Sequence, residues 1–192
     1  MNDVSLTLKA GEWIGFYGRN GCGETTLLRL IAGLLEADRG TIERYGTISC
    51  FFALGAGFHE DKRAAENIYT HGLLHGLCSS EIRARTESII AFSGTASHRD
   101  LPFKHLSHGM RARLAFAAAV HIDREIYLFD EALAVGDAAF QIVCKEKFIE
   151  LKRQGKSGLI VDHSLGFLAD ICDRILHMEG GRIVREDRAP SS

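Results

Sequence analysis

The sequence predicts an α/β fold in which helices connect the strands of a parallel sheet. Short apolar segments rich in β-branched and aromatic residues alternate along the chain with longer segments that are apolar at helical spacing. A glycine-rich segment, residues 18–26, joins the first predicted strand to the first predicted helix. Strand, glycine-rich loop and helix in this order are the context that a phosphate-binding loop requires.

The elements follow one another without a long structureless gap. The predicted strands are residues 12–17, 47–53, 126–129, 158–161 and 174–178. The predicted helices are residues 25–35, 80–92, 110–121, 138–154 and 164–173. Residues 53–105 have a mostly helical pattern, and no repeat, charge block or low-complexity linker interrupts the chain. We therefore predict one domain, residues 1–192, with residues 53–105 as its helical subdomain.

The composition is that of an ordinary globular protein. A chain of 192 residues with 46% hydrophobic content can bury a core, and its net charge of −2 predicts no bulk affinity for nucleic acid. No apolar run approaches the ~20 residues that span a bilayer, so a membrane role would require a partner. The five cysteines are widely spaced without a Cys-x-x-Cys pair, which is typical of reduced structural thiols.

The glycine-rich segment is Gly18-Arg19-Asn20-Gly21-Cys22-Gly23-Glu24-Thr25-Thr26. Small residues in such a loop let consecutive backbone N–H groups converge on phosphate oxygens at a helix N-terminus. Glu24 stands where a phosphate-binding loop carries its lysine, and its carboxylate has the wrong charge for a phosphate ligand. A plain turn between strand and helix is the alternative interpretation.

A second motif is the apolar segment 125–129, which ends in the two carboxylates Asp130 and Glu131. Acidic groups at the carboxyl end of a parallel strand lie in the crevice where ligands of α/β sheets bind. There Asp130 could hold Mg²⁺ and Glu131 could orient water. Alternatively, the strand simply exits into solvent.

A third motif, Leu106-Ser107-His108-Gly109-Met110-Arg111-Ala112-Arg113, precedes an alanine-rich stretch. Serine and glycine at the start of a helix form either an anion site built from exposed N–H groups or an ordinary N-cap.

With these three motifs in view, the chain resembles the ATP-binding subunit of ABC transporters. The segment Leu106–Met110 resembles the signature of that family, Ala134-Val135-Gly136-Asp137 resembles the loop after the acidic strand, and Ile160-Val161-Asp162-His163 resembles its histidine switch. The segments Leu54-Gly55-Ala56-Gly57-Phe58-His59 and Glu66-Asn67-Ile68-Tyr69 are similar to the exporters of capsular polysaccharide, O-antigen and teichoic acid.

The resemblance implies a P-loop NTPase core with a helical subdomain, and ATP and Mg²⁺ as cofactors. It also implies a homodimer at the cytoplasmic face of the inner membrane, bound there through membrane-spanning transporter subunits. Thr25 and Asp130 would hold Mg²⁺, Glu131 would polarise the attacking water, and His163 would contact the γ-phosphate. The nucleotide would also contact Gly18, Asn20, Gly21, Cys22, Gly23, Glu24 and Thr26 of one subunit, and Ser107, Gly109, Met110 and Asp137 of the other.

Three departures from the family pattern shape the expected activity. Glu24 replaces the lysine that neutralises the phosphates. The only glutamines, Gln141 and Gln154, lie beyond the acidic strand, and Ala53 stands where the polysaccharide exporters often have glutamate. Because only 23 residues precede Glu24, we expect the family's first strand and its adenine-stacking aromatic to be missing.

The sequence thus predicts a transport ATPase of a polysaccharide exporter whose ATP binding and hydrolysis are impaired by Glu24. The alternative is a pseudo-ATPase that serves as a scaffold or regulatory half beside an intact partner. A monomeric P-loop kinase, in which the signature and His163 play no part, is a less favoured alternative.

Overall fold

The computed structural model of the chain describes residues 1–19, 21–52, 55, 57–130 and 136–188. The chain forms two compact units. The sheet unit comprises Met1–Phe52, Arg124–Leu133 and Lys145–Ser192, and the helical unit comprises Ala53–Asp123 and Ala134–Cys144. The sequence-based helical subdomain, 53–105, falls within the first segment of the helical unit, and the single-domain partition stays a prediction.

The sheet unit contains a six-stranded sheet. Its strands are β1 (Trp13–Gly18), β2 (Ile48–Phe51), β3 (Ile126–Asp130), β4 (Ser157–Val161), β5 (Arg174–Glu179) and β6 (Arg182–Arg188). The strand order is β2-β3-β4-β1-β5-β6. All neighbouring pairs from β2 to β5 are parallel, and β5 and β6 are antiparallel. The predicted α/β class and the five parallel strands are therefore confirmed, and the sheet has in addition one antiparallel edge strand, β6, that was not predicted.

The edge strand β6 was not predicted because its sequence, Arg-Ile-Val-Arg-Glu-Asp-Arg, is mostly charged and exposed. Side-chain contacts with β5 stabilise it: Arg174 Nε forms an ion pair with Glu186 Oε1 at 2.8 Å, and His177 Nε2 lies 2.8 Å from Asp187 Oδ2. The connection is the two-residue turn Gly180–Gly181, with both residues at positive φ. A Gly-Gly pair is a recognised hairpin signal, and it is the one sequence feature that could have revealed β6.

Six α-helices accompany the strands in the described residues. They are α1 (Glu24–Ile31), α2 (Ala64–Leu74), α3 (Ser79–Ser93), α4 (His108–Val120), α5 (Ala138–Arg153) and α6 (Leu165–Ile171). Helix α1 ends four residues before its predicted end at residue 35. The side chain of Arg44 donates from Nε to Ile31 O and from Nη2 to Leu30 O, both at 2.6 Å. The helix ends at a glycine turn, because Gly33 has a φ of +77°, the Gly33 amide donates to Leu30 O at 3.1 Å and the Leu34 amide donates to Arg29 O at 2.9 Å.

The core of the sheet unit is organised around β1. Ile14 and Phe16 are fully buried and belong to one cluster with residues from the neighbouring strands and from α1. Trp13 is also fully buried, stacks on Phe129 with ring centroids 6.3 Å apart, and donates from Nε1 to Lys156 O at 2.7 Å. A buried indole needs such a partner for its N–H. The tryptophan is therefore a core residue of the sheet unit.

The helical unit has a separate core formed by the apolar faces of α2, α3 and α4, including Ile68, Ile90 and Leu114. The fully buried Asn67 fixes the loop before α2 to this core. Its Oδ1 accepts from the His59 amide at 2.7 Å, and its Nδ2 donates to the carbonyls of His59 and Lys62 at 3.0 and 3.2 Å. Within the described ranges, no helix combines the length and apolar character needed to cross a bilayer.

The thiols should react unequally in the native protein. Burial raises the pKa of Cys50 to about 11 and of Cys144 and Cys172 to about 12, and burial together with Glu24 raises that of Cys22 to about 11. The thiolate is the reactive form, so these four should label slowly until the pH approaches those values. Only the exposed Cys78 should react quickly at pH 8, as measured with Ellman's reagent. Two or more fast thiols, or loss of the fast one only in a variant other than Cys78→Ser, would contradict this assignment.

A second prediction concerns Gly158, which pairs with Trp13 across β1 and β4. A Cβ at position 158 would lie 2.4 Å from Cε3 of the Trp13 ring. Because the ring is enclosed, Gly158→Ala should lower the free energy of unfolding by about 1–3 kcal/mol, measured by urea denaturation. Gly166→Ala on the exposed face of α6 is the control, since a Cβ there meets no atom within 4 Å. An equal loss of stability in both variants would show that the Trp13 contact is not the cause.

Candidate functional site

The glycine-rich segment lies between β1 and α1, as the sequence predicts. Gly21 and Gly23 have φ of +84° and +111°, a conformation that favours glycine, and the Leu27 amide already bonds to Gly23 O at 2.9 Å as the first turn of α1. Thr26 is exposed in that turn. Asn20, a predicted nucleotide contact, lies outside the described residues. The glycine-rich segment therefore lies at a helix N-terminus, where backbone N–H groups without a helical partner can bind anions.

Gly18, the last residue of β1, is enclosed by three groups. A Cβ at this position would lie 2.4 Å from Cys22 Sγ and 2.7 Å from both Glu24 Oε1 and the carbonyl oxygen of Met178. A backbone bond of 2.8 Å from the Gly181 amide to Cys22 O also ties the loop to the β5–β6 hairpin. The base of the loop is therefore closely packed and accepts no side chain at position 18.

Glu24 is the unusual member of the loop. Its side chain turns inward to the base of the loop beside Cys22 and Gly18, and only 5% of the residue is exposed. Within the described part of the chain, its Oε1 is buried and has no hydrogen-bond partner. Leaving a buried polar atom unsatisfied costs about 1–3 kcal/mol. The sequence shows that glutamate stands where a phosphate-binding loop carries its lysine, but it could not show that the carboxylate is buried.

The end of β3 contributes Asp130. Its Oδ1 accepts a hydrogen bond of 3.1 Å from the Thr25 hydroxyl, so the first turn of α1 and the acidic strand meet. A hydroxyl and a carboxylate oxygen are ligands that Mg²⁺ prefers, and this pair therefore fits such an ion. Among the described residues, no group of three or more His, Cys, Asp or Glu side chains forms a larger metal site. Glu131, the predicted catalytic carboxylate, lies outside the described residues.

His163 follows β4, and its Nδ1 lies 3.3 Å from the carbonyl oxygen of Gly18. Strands β3, β4 and β1 are adjacent in the sheet and parallel, so their carboxyl ends share one edge. That edge brings together the glycine-rich segment, Asp130 and His163, three features that are widely separated in sequence. The carboxyl edge of a parallel sheet is where ligands of α/β proteins bind.

The signature-like segment, Leu106–Met110, lies in the helical unit. Ser107 is the N-cap of α4, and its Oγ accepts from the Met110 amide at 3.2 Å. A Cβ at Gly109 would meet no atom within 4 Å, so the start of the helix is open on that side. This is the N-cap geometry that the sequence predicts, and it leaves other amides of the first turn available to an anion.

Asp137 is also in the helical unit, where it caps α5 by accepting from the Phe140 amide at 3.0 Å. Its other carboxylate oxygen contacts Nη2 of Arg113 at 2.5 Å. The Phe140 amide, together with the charge of Arg113, lowers the pKa of Asp137. Sequence reasoning missed Arg113, although its spacing of four residues from Gly109 places the two on one face of α4.

Comparisons with known proteins agree with this geometry. Residues 1–134 match the sequence profile of the family described as "ABC transporter". Solved structures include the "ATP binding subunit of ABC transporter", with a TM-score of 0.85 and 22% identity over 97% of this chain and 82% of that chain. A dimeric ATP-binding cassette in a post-hydrolysis state, bound to ADP and Pi, has a TM-score of 0.84 and 20% identity over 99% of this chain and 90% of that one. These likenesses establish the fold.

Curated relatives are closer in sequence. The chain is 42% identical, over 96% of its length, to the O-antigen export system ATP-binding protein RfbB of Myxococcus xanthus, but spans only 42% of that protein. The RfbB protein of Klebsiella pneumoniae is 38% identical over 95% of the chain and 74% of the relative. The teichoic acids export ATP-binding protein TagH of Lactiplantibacillus plantarum is 39% identical over 96% of the chain and 50% of the relative. From the profile match and these identities, the chain belongs to the ABC transporter family.

Proposed function

We propose that this chain is the ATP-binding subunit of an exporter of a cell-surface polysaccharide of the O-antigen or teichoic acid class. In this proposal it forms a single ABC-type nucleotide-binding domain and pairs with a second copy. It would lie at the cytoplasmic face of the inner membrane, bound to membrane-spanning transporter subunits. The names of the O-antigen and teichoic acid relatives support the substrate class.

The hydrogen bond between Thr25 and Asp130 is the observation that best supports nucleotide chemistry. It places a hydroxyl and a carboxylate side by side next to a loop that favours anions, and this combination suits a Mg²⁺–ATP complex. Bound Mg²⁺ would neutralise phosphate charge. Thr25 and Asp130 would hold the ion, while the amides of the phosphate loop, including those of Gly21 and Gly23, would bind phosphate oxygens.

The remaining roles concern hydrolysis and the second subunit. His163 would contact the γ-phosphate, and Glu131 would accept a hydrogen bond from the attacking water and orient it. Asn20, Cys22, Glu24 and Thr26 complete the loop that surrounds the phosphates. In the paired subunit, Ser107, Gly109, Met110 and Asp137 would contact the same nucleotide. Each of these roles is part of the proposal.

Glu24 sets the expected level of activity. A unit charge pair at ~4 Å is worth ~4 kcal/mol at an effective dielectric of ~20, so exchanging lysine for glutamate next to phosphates removes an attraction and adds a repulsion. Even a few kcal/mol weakens ATP binding by two or more orders of magnitude, since ~1.4 kcal/mol is tenfold. Hydrolysis should suffer more, because charge spreads over the phosphoryl oxygens in its transition state.

A second candidate function is a pseudo-ATPase that supports an intact partner subunit. The buried carboxylate of Glu24 favours this alternative, because its unsatisfied Oε1 occupies the base of the loop. Thr25, Asp130 and His163 favour the ATPase, because a scaffold has no need to retain them together.

Glu24→Lys should distinguish these candidates. In the transport ATPase, the lysine restores charge complementarity, and Mg-ATP affinity should rise at least a hundredfold, measured by isothermal titration calorimetry on both proteins. Glu36→Lys makes the same charge change at an exposed position of the sheet unit and should alter affinity little. Absence of binding in both the parent and Glu24→Lys, with both folded by circular dichroism, would favour the scaffold.

The metal pair gives a further prediction. In the Glu24→Lys background, Asp130→Asn retains an oxygen that can accept from Thr25 but removes the negative charge that binds Mg²⁺. The advantage of Mg-ATP over ATP in EDTA should therefore shrink about tenfold, by calorimetry. Asp170→Asn, which removes an exposed partner of Lys145 in the same unit, is the control. An undiminished Mg²⁺ effect in Asp130→Asn would place the ion elsewhere.

A further inference from the structure

Arg113 links three elements of the helical unit. It lies in the second turn of α4, its Nη2 contacts Asp137 beside the start of α5, and its Nη1 lies 3.7 Å from the Cβ position of Gly94, the C-cap of α3. A cation close to a helix C-terminus interacts favourably with the helix dipole.

The surroundings of Arg113 hold its guanidinium in one orientation. Its Cζ lies 5.2 Å from the centroid of Phe140, a residue only 4% exposed, in a cation–π contact. Phe140 in turn packs edge-on against Phe92 and Phe116, with ring centroids 5.7 and 6.0 Å apart. Within the described residues, Arg113 Nε is buried and has no hydrogen-bond partner. The contacts that hold the side chain are therefore the Phe140 ring and the bond to Asp137.

The position of Arg113 on α4 relates Asp137 to the signature-like residues. Gly109 and Arg113 are four residues apart and lie on one face of the helix. The guanidinium contacts Asp137 and the Phe140 ring and approaches Gly94, and it has no atom within 4 Å of the Cβ position of Gly109. Gly109 has open space at its Cβ position. Arg113 therefore connects Asp137 to the helix that carries the signature-like segment, and the start of that helix is open.

We propose that Arg113 is a positioning residue that fixes the carboxylate of Asp137 at the start of α5, so that Asp137 is already in place when it meets the nucleotide of a second copy. This inference rests on the proposed function, because it assumes a nucleotide shared between two copies. Arg113 itself does not contact that nucleotide. It acts through the orientation of Asp137, and preorganisation of this kind reduces the cost of association.

The test uses Arg113→Gln, Asp137→Asn and their combination in the Glu24→Lys background. Dimerisation with Mg-AMPPNP is measured by analytical ultracentrifugation, nucleotide affinity of the monomer by calorimetry, and exchange of the Phe140 amide by hydrogen exchange. Arg99→Gln is the matched control, because Arg99 forms an exposed two-bond ion pair with Glu87 in the same unit. Arg113→Lys keeps the charge and serves as the conservative variant.

Arg113→Gln should weaken dimerisation about tenfold and speed exchange of the Phe140 amide at least fivefold, with monomer affinity changed less than twofold. Asp137→Asn retains the cap but loses the ion pair, so it should weaken dimerisation similarly, and the combined variant should be no worse. Arg113→Lys should recover part of the loss. A merely structural role would lower stability in Arg113→Gln without this non-additivity or rescue.

Three results would overturn the inference: additive losses in the combined variant, an equal loss in Arg99→Gln, or Phe140 exchange that Arg113→Gln leaves unchanged. If Glu24→Lys neither binds Mg-AMPPNP nor dimerises, the proposed function fails instead. The Phe140 amide then still decides whether Arg113 holds Asp137, because that measurement requires no nucleotide.

Discussion

The absence of space for a side chain at position 18 is the constraint on which the candidate site depends. Three atoms lie within 2.7 Å of the position that a Cβ of Gly18 would take: Cys22 Sγ, Glu24 Oε1 and the carbonyl oxygen of Met178. Because β1 ends against these groups, the chain turns directly into the phosphate loop. The carbonyl oxygen of Gly18 also lies 3.3 Å from His163 Nδ1, so this one residue contacts both the loop and a residue that follows β4.

Two electrostatic effects act on Glu24 in opposite directions. A carboxylate in the first turn of a helix is favoured by about 0.3–1 kcal/mol through the helix dipole. A buried polar atom without a partner costs about 1–3 kcal/mol, and Oε1 is such an atom among the described residues. The second effect is the larger of the two, so the burial of Oε1 outweighs the interaction of the carboxylate with the helix dipole.

Sequence patterns predicted the features that depend on local chemistry. The five parallel strands and the loop between β1 and α1 follow from apolar patterning and glycine spacing. The pairing of Thr25 with Asp130 was implied only by the resemblance to the ABC transporter family. Strand β6 was not predicted because side-chain contacts with β5, rather than apolar alternation, stabilise it. The inward turn of Glu24 and the contact between Arg113 and Asp137 are tertiary, and no local pattern encodes them.

The burial of Trp13 has a spectroscopic consequence. It is the only tryptophan in the chain, and it lies in the centre of the sheet unit against Phe129, the residue that precedes Asp130. Indole emission therefore reports on the environment of the sheet unit, whereas the helical unit contains no tryptophan and contributes instead to far-ultraviolet circular dichroism through its helices. Comparing the two signals during unfolding resolves whether the units melt together or one after the other, without any label attached to the protein.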